Sequence, residues 1–97
     1  MPDAPENTSL HIVISGRVQG VGYRAWLRDR ALQSGLCGWV RNRCDGDVEA
    51  VLSGPKDRVD TVIRACRVGP DWASVEHVRI VSDTAPVEPE FSVKPTL

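Results

Sequence analysis

The fold class predicted by the sequence is α+β: an α/β sandwich in which two helices lie on one face of an antiparallel sheet, with a short extra strand at the C-terminus. Three observations predict it. Four strand-like apolar runs and two helical runs follow one another in the order β-α-β-β-α-β. A turn signal, Asp45-Gly46, joins the two middle strand runs directly. The 97 residues leave room for one compact domain, and 41% apolar content is enough for one modest core.

Each element has its own justification. Met1–Ser9 is polar and acidic and reads as a flexible tail before a single domain spanning residues 10–97. In Leu10–Ser15, the residues Leu10, Ile12 and Ile14 alternate with His11, Val13 and Ser15. Val13 makes both faces partly apolar, as suits a central strand. Gly16–Gly22 is a glycine-studded loop. From Tyr23 to about Ser34, Tyr23, Leu27 and Ala31 share a helical stripe with Trp26 beside it. Arg28, Asp29 and Gln33 face outward, and Gly35 supplies the stop. Leu36–Asn42 and Val48–Ser53 read as the second and third strands. Gly54-Pro55 opens the second helix, with Pro55 near its first turn and Val59, Val62, Ile63 and Cys66 as its stripe. Gly69-Pro70 ends it. Val75–Val81 is the fourth strand, with Val78 and Ile80 inward. Thr84–Glu90, with two prolines, links to a last strand, Phe91–Lys94. Two βαβ halves joined by a hairpin describe a ferredoxin-like sandwich, whose right-handed crossovers put both helices on one face.

The net charge of −1 argues against a general nucleic-acid binder, but it hides an uneven distribution. Residues 11–43 hold Arg17, Arg24, Arg28, Arg30, Arg41 and Arg43 against Asp29 alone. That positive segment also holds most of the glycine-rich sequence and suits a small anion. No run approaches the ~20 apolar residues of a membrane span. The first nine residues lack the basic and apolar regions of a signal peptide, so a cytoplasmic protein without membrane association is expected. Cys37, Cys44 and Cys66 are odd in number and lack a CxxC pair, so they read as small packed thiols rather than disulfides or zinc ligands. His11 and His77 read as ordinary strand residues, Trp26 and Trp39 as packing, and the acidic residues beyond Asp45 as a solvated face. Trp72 either flanks the loop or covers a sheet edge. With no large extra apolar surface evident, a monomer is expected.

The chemistry sits in Gly16-Arg17-Val18-Gln19-Gly20-Val21-Gly22-Tyr23-Arg24. Glycines let successive backbone N–H groups point at one centre, and a helix N-terminus adds free donors and partial positive charge. Arg24, in the first helical turn, can close the cup with two parallel N–H bonds to a phosphate. The Walker pattern is absent, since no Lys-Ser or Lys-Thr follows the last glycine. Gly20-x-Gly22-x-x-Ala25 matches the dinucleotide fingerprint, with Asp45 about 20 residues later. It fails on context: four residues separate strand from first glycine, and the Asp45-Gly46 hairpin forbids a parallel next strand.

The same nine residues closely resemble the first signature of the acylphosphatases. Gly38-Trp39-Val40-Arg41-Asn42 followed by Asp45-Gly46-x-Val48-Glu49 resembles the second. The resemblance extends over about residues 10–94. It implies hydrolysis of the carboxyl-phosphate bond of small acyl phosphates, with inorganic phosphate or sulfate as a product-like ligand. It puts the phosphate-binding arginine on Arg24, the water-orienting asparagine on Asn42 and the phosphate loop on Gly16, Arg17, Val18, Gln19, Gly20, Val21, Gly22 and Tyr23. The bound phosphate would itself accept the proton of the attacking water, and no metal or cofactor is implied. Arg17 and Arg41 are left as sources of positive field. Arg28, Arg30, Arg43 and Cys44 are assigned no role.

Two other classes compete. An RNA-recognition domain stacks bases on strand aromatics, but Val48–Ser53 has none and the chain has one Phe, one Tyr and three Trp. A non-catalytic acyl- or carbamoyl-phosphate-binding module acting with a partner protein is the alternative to an enzyme.

Overall fold

The computed structural model describes residues 7–20, 22–83 and 90–96. Among them, the elements run β1 (Asn7–Arg17), α1 (Tyr23–Gln33), β2 (Cys37–Asn42), β3 (Val48–Pro55), α2 (Lys56–Val68), β4 (Ser74–Asp83) and β5 (Phe91–Val93). The strands form one sheet in the order β4-β1-β3-β2-β5. β1 lies between β3 and β4, antiparallel to both, and β2 is antiparallel to β3. β5 runs parallel to β2, so the sheet is mixed rather than wholly antiparallel as expected. The direction follows from topology: β4 ends at the end of the sheet where β2 begins, so a chain crossing to the far edge enters alongside β2.

The helix-facing residues of the three inner strands carry the core. Ile12, Ile14, Val40, Ala50 and Leu52 are completely buried against Leu27 and Ala31 of α1 and Val59 and Cys66 of α2. Burying each Ile, Leu or Val side chain among them stabilises the fold by roughly 1.5–3 kcal/mol. The stripes expected for both helices are the ones that bury.

Strand and helix ends shift by a residue or more, and three differences from expectation have a physical reason. β1 begins at Asn7 rather than Leu10, because β3 continues to Pro55 and offers a ladder for Asn7–Ser9. Ser9 is buried there, its hydroxyl 2.6 Å from that of Ser53. The first six residues of the expected tail lie outside the described residues. Pro55 ends β3 and caps α2 instead of lying within its first turn. Ile80 is 53% exposed, not inward. It faces Ile12 beside a bulge in the edge strand. The end of α2, marked by an Arg67–Val78 carbonyl hydrogen bond of 3.4 Å, covers Val78 but not Ile80 two residues on. The linker 84–89 lies outside the described residues.

Candidate active site

β1 delivers the loop and α1 receives it. At Gly16 the β1–β4 register shifts, and the backbone takes φ +120°. A Cβ there would fall onto the Ser74 carbonyl oxygen, so the approach of β4 requires glycine. Val18, 1% exposed, donates its N–H to the Gly16 carbonyl at 3.1 Å and pins the loop to the core. Gly22 occupies the N-cap of α1 with φ 79° and ψ 17°, left-handed geometry that other residues rarely adopt. Its neighbour across the loop is Trp72: a side chain on Gly22 would touch the indole nitrogen at 3.8 Å. Trp72 therefore flanks the loop, the first of the two placements open to it.

No side chain caps α1 and its first turn carries no acid. The first N–H within the helix to find a partner is that of Trp26, bonded to the Gly22 carbonyl at 3.0 Å. The N–H groups of Tyr23, Arg24 and Ala25 thus lack helical acceptors and leave a positive end. They open on a cavity of about 260 Å³ lined by Val18, Gly20, Gly22, Tyr23, Arg24, Ala25, Arg28, Asn42 and Val93. Val21 lies outside the described residues.

Asn42 reaches this cavity from the end of β2, paired with Val48 of β3. Its Oδ1 is buried and has no hydrogen-bond partner among the described residues. An unpartnered buried acceptor costs about 1–3 kcal/mol, so its position beside the cavity calls for a function.

The hairpin carrying Asn42 is tied to the loop by Gln19. Its side-chain amide donates to the carbonyls of Arg43 at 2.7 Å and Asp47 at 2.8 Å. The hairpin is closed by Arg43 N–H to the Asp47 carbonyl at 2.8 Å and by Asp47 N–H to Asp45 Oδ1 at 3.0 Å. That last bond, joined by Arg43, holds the Asp45 carboxyl below its ordinary range despite some desolvation.

The structure thus brings Val18, Gly20, Gly22, Tyr23, Arg24 and Asn42 to one cavity. Gly16 and Gln19 support it from outside, and the exposed Arg17 pairs with Ser74 on β4. Tyr23 contributes its helical backbone end. Its ring is buried, and its hydroxyl donates to the Cys66 carbonyl of α2 at 2.8 Å. Three lining residues fall outside the expected set: Ala25, Arg28 and Val93. Arg28 faces outward on a helical wheel, but helical side chains lean toward the N-terminus and carry its guanidinium back to the cavity.

A second cluster lies outside the cavity. Glu49, 1% exposed, was expected on a solvated face. It instead accepts hydrogen bonds from Arg41 Nε and, at 2.8 Å, His11 Nε2, with Arg43 at 3.5 Å. Desolvation opposes its ionisation, but Arg41 and His11 outweigh it and keep the carboxyl below its ordinary range. Trp39 lies beside this cluster with the Arg41 guanidinium 4.7 Å and the Lys94 ammonium 5.3 Å from its ring centre. Of the cysteines, Cys66 is buried and its thiol pushed up to about 12 by desolvation. Cys37 is half-buried, and Cys44 is exposed in the hairpin rather than packed. Among the described residues, no group of three or more His, Cys, Asp or Glu could hold a metal ion, and no helix is long and apolar enough to cross a membrane.

Fold and cavity together define a ferredoxin-like domain with an anion-receptive strand–loop–helix junction. Comparison with known proteins narrows that class. The acylphosphatase family profile matches residues 10–93. An acylphosphatase of Azorhizobium caulinodans is 50% identical over 90 residues, covering 92% of this chain and 97% of its own. The solved acylphosphatase from Coxiella burnetii superposes with a TM-score of 0.85 at 34% identity, over 91% of this chain and 93% of its own. That from Bacillus subtilis gives 0.83 at 31% identity, over 92% and 99%. The chain belongs to the acylphosphatase family.

Proposed function

We propose that this protein hydrolyses the carboxyl-phosphate bond of small acyl phosphates at the cavity between the α1 N-terminus and Asn42. The single observation that carries the reading is the convergence on one cavity of Arg24, Gly20 and Gly22 from one segment and Asn42 from another. An acyl phosphate has a good leaving group and needs no strong general acid, so catalysis here is mainly charge neutralisation and positioning. Loop and helix N–H groups, with the Arg24 guanidinium, hold the phosphoryl oxygens and take up the charge that builds on them. The Asn42 amide oxygen accepts a hydrogen bond from the attacking water, which it orients but cannot deprotonate near neutral pH. The water oxygen bonds to phosphorus as the phosphorus–acyl oxygen bond breaks. The carboxylate leaves with the bond electrons, and the water's proton passes to a phosphoryl oxygen, giving a carboxylate and dihydrogen phosphate.

In this reading the enzyme works without a metal and as a monomer. Free thiols, including the buried Cys66, fit a reducing, cytoplasmic compartment. Phosphate release from benzoyl phosphate tests the proposal. Arg24→Ala loses ~10²–10³ in kcat/KM through weaker binding and slower turnover. Asn42→Ala loses kcat by a similar factor while inorganic phosphate still binds. An Asn42→Ala enzyme with wild-type kcat sinks the water-orienting role. Activity lost to a chelator sinks metal independence.

A further inference from the structure

Arg28 is the lining residue that hydrolysis of the carboxyl-phosphate bond leaves unused. It stands one helical turn after Arg24 on α1, and both guanidinium-bearing side chains line the same cavity. A turn of helix advances about 5.4 Å, so two cationic positions follow each other along the cavity wall. Among the described residues, neither arginine has a salt-bridge partner, although Arg41, Arg43 and Lys56 do. Among the described residues, no acidic residue lines the cavity. Among the described residues the apolar lining is small: Val18, Ala25 and Val93 give little surface to hold a long hydrocarbon acyl group.

One phosphoryl group engages the helix end and Arg24. A second unpaired cation a turn further on has nothing to do for a neutral acyl group, but it matches a second anion at the far end of a short spacer. We infer that the cavity selects acyl phosphates whose acyl portion ends in a second carboxylate, with Arg28 holding that carboxylate. The inference rests on the hydrolytic reading above and names the substrate class of that site. Its chemistry is a charge-assisted N–H···O pair at the cavity mouth, weaker than a buried pair because Arg28 is exposed.

A matched pair of four-carbon substrates isolates the effect: succinyl phosphate, ending in a carboxylate, and butyryl phosphate, ending in a methyl group. The readout is the ratio of their kcat/KM values, which a general structural defect does not move. Wild-type enzyme favours succinyl phosphate by about fivefold at low salt, the scale of one partly exposed ion pair. Arg28→Ala brings the ratio to about one, Arg28→Glu inverts it, and Arg28→Lys retains most of it. High salt erodes the wild-type preference and leaves the Arg28→Ala ratio where it was. A wild-type ratio of one, or the same ratio in wild type and Arg28→Ala, overturns the inference while hydrolysis itself stands. Absence of phosphate release from both substrates by wild-type enzyme overturns the hydrolytic reading and this inference with it.

Discussion

At the scale of single residues, charge is handled in two opposite ways. Arg24 and Arg28 line a cavity without carboxylate partners among the described residues. Glu49 is buried and surrounded by Arg41, His11 and Arg43. The second arrangement has a pH signature. The folded-state pKa of Glu49 lies below its ordinary 4.5. Its contribution is therefore complete above about that pH and fades as pH falls through the lower, folded value. Glu49→Gln should cost about 2 kcal/mol at pH 7, since it strips a charged partner from Arg41 and His11. Denaturant unfolding of both proteins from pH 7 to pH 3 checks this. The difference shrinks as pH falls from 5 to 3, and a difference unchanged over that range contradicts the ion-pair account. This cluster was within reach of the sequence. The Asp45-Gly46 hairpin puts Arg41 opposite Glu49, and opposite charges across a ladder attract. Strand alternation alone marks Glu49 only as polar, which suggests water rather than a partner. Arg24 was legible from its place after the glycine loop in the first helical turn, and Asn42 through resemblance alone. Arg28 was obscured because a wheel records Cα directions and not where a long side chain leans.

Among the elements, the consequential joint is between loop and hairpin. Gln19 was expected in the phosphate loop, whose backbone N–H groups face the anion; its side chain spans to the two carbonyls that bracket the β2–β3 turn. We propose that it is a positioning residue, setting the distance between the α1 end and Asn42 of the hairpin. Misplacing a water-orienting group by about 1 Å can cost as much as 10² in rate. Gln19→Ala should therefore lower kcat about tenfold while KM and phosphate affinity change less than threefold. Steady-state kinetics with phosphate inhibition measures both. A variant that loses phosphate affinity instead would put the Gln19 side chain in direct phosphate contact. Sequence reasoning could not find this link, because residues 19, 43 and 47 become neighbours only when β1 and β3 pair. Element identities were legible and their ends were not: Asn7 and Pro55 extend their strands because each supplies the other with a ladder partner.

For the whole molecule, the order of elements in space departs from their order in the chain. β1 sits between β3 and β4, and β4 is the partner that meets Gly16 and Arg17 at the loop entrance. A chain ended after residue 73 would keep the loop, both helices and Asn42, but would expose one whole side of β1 and uncover Val78's neighbours in the core. Such a truncated chain should show no cooperative unfolding transition by circular dichroism, and a well-defined transition would count against the central role of β1. The ferredoxin-like architecture was readable because its two βαβ halves repeat one local pattern. The mixed character of the sheet was not, since the direction of β5 depends on which edge a crossing chain reaches.

The central place of β1 also orders events in time. Of the described strands β1 is made before the others and waits longest, because its second partner, β4, follows some sixty residues later. The phosphate loop, attached to that strand, gains its final shape only when the long β1–β4 contact closes. Such distant pairings are slow steps in folding. Anion binding at this loop would then require the distant β1–β4 contact, and a half-made chain would carry the complete motif without the grip.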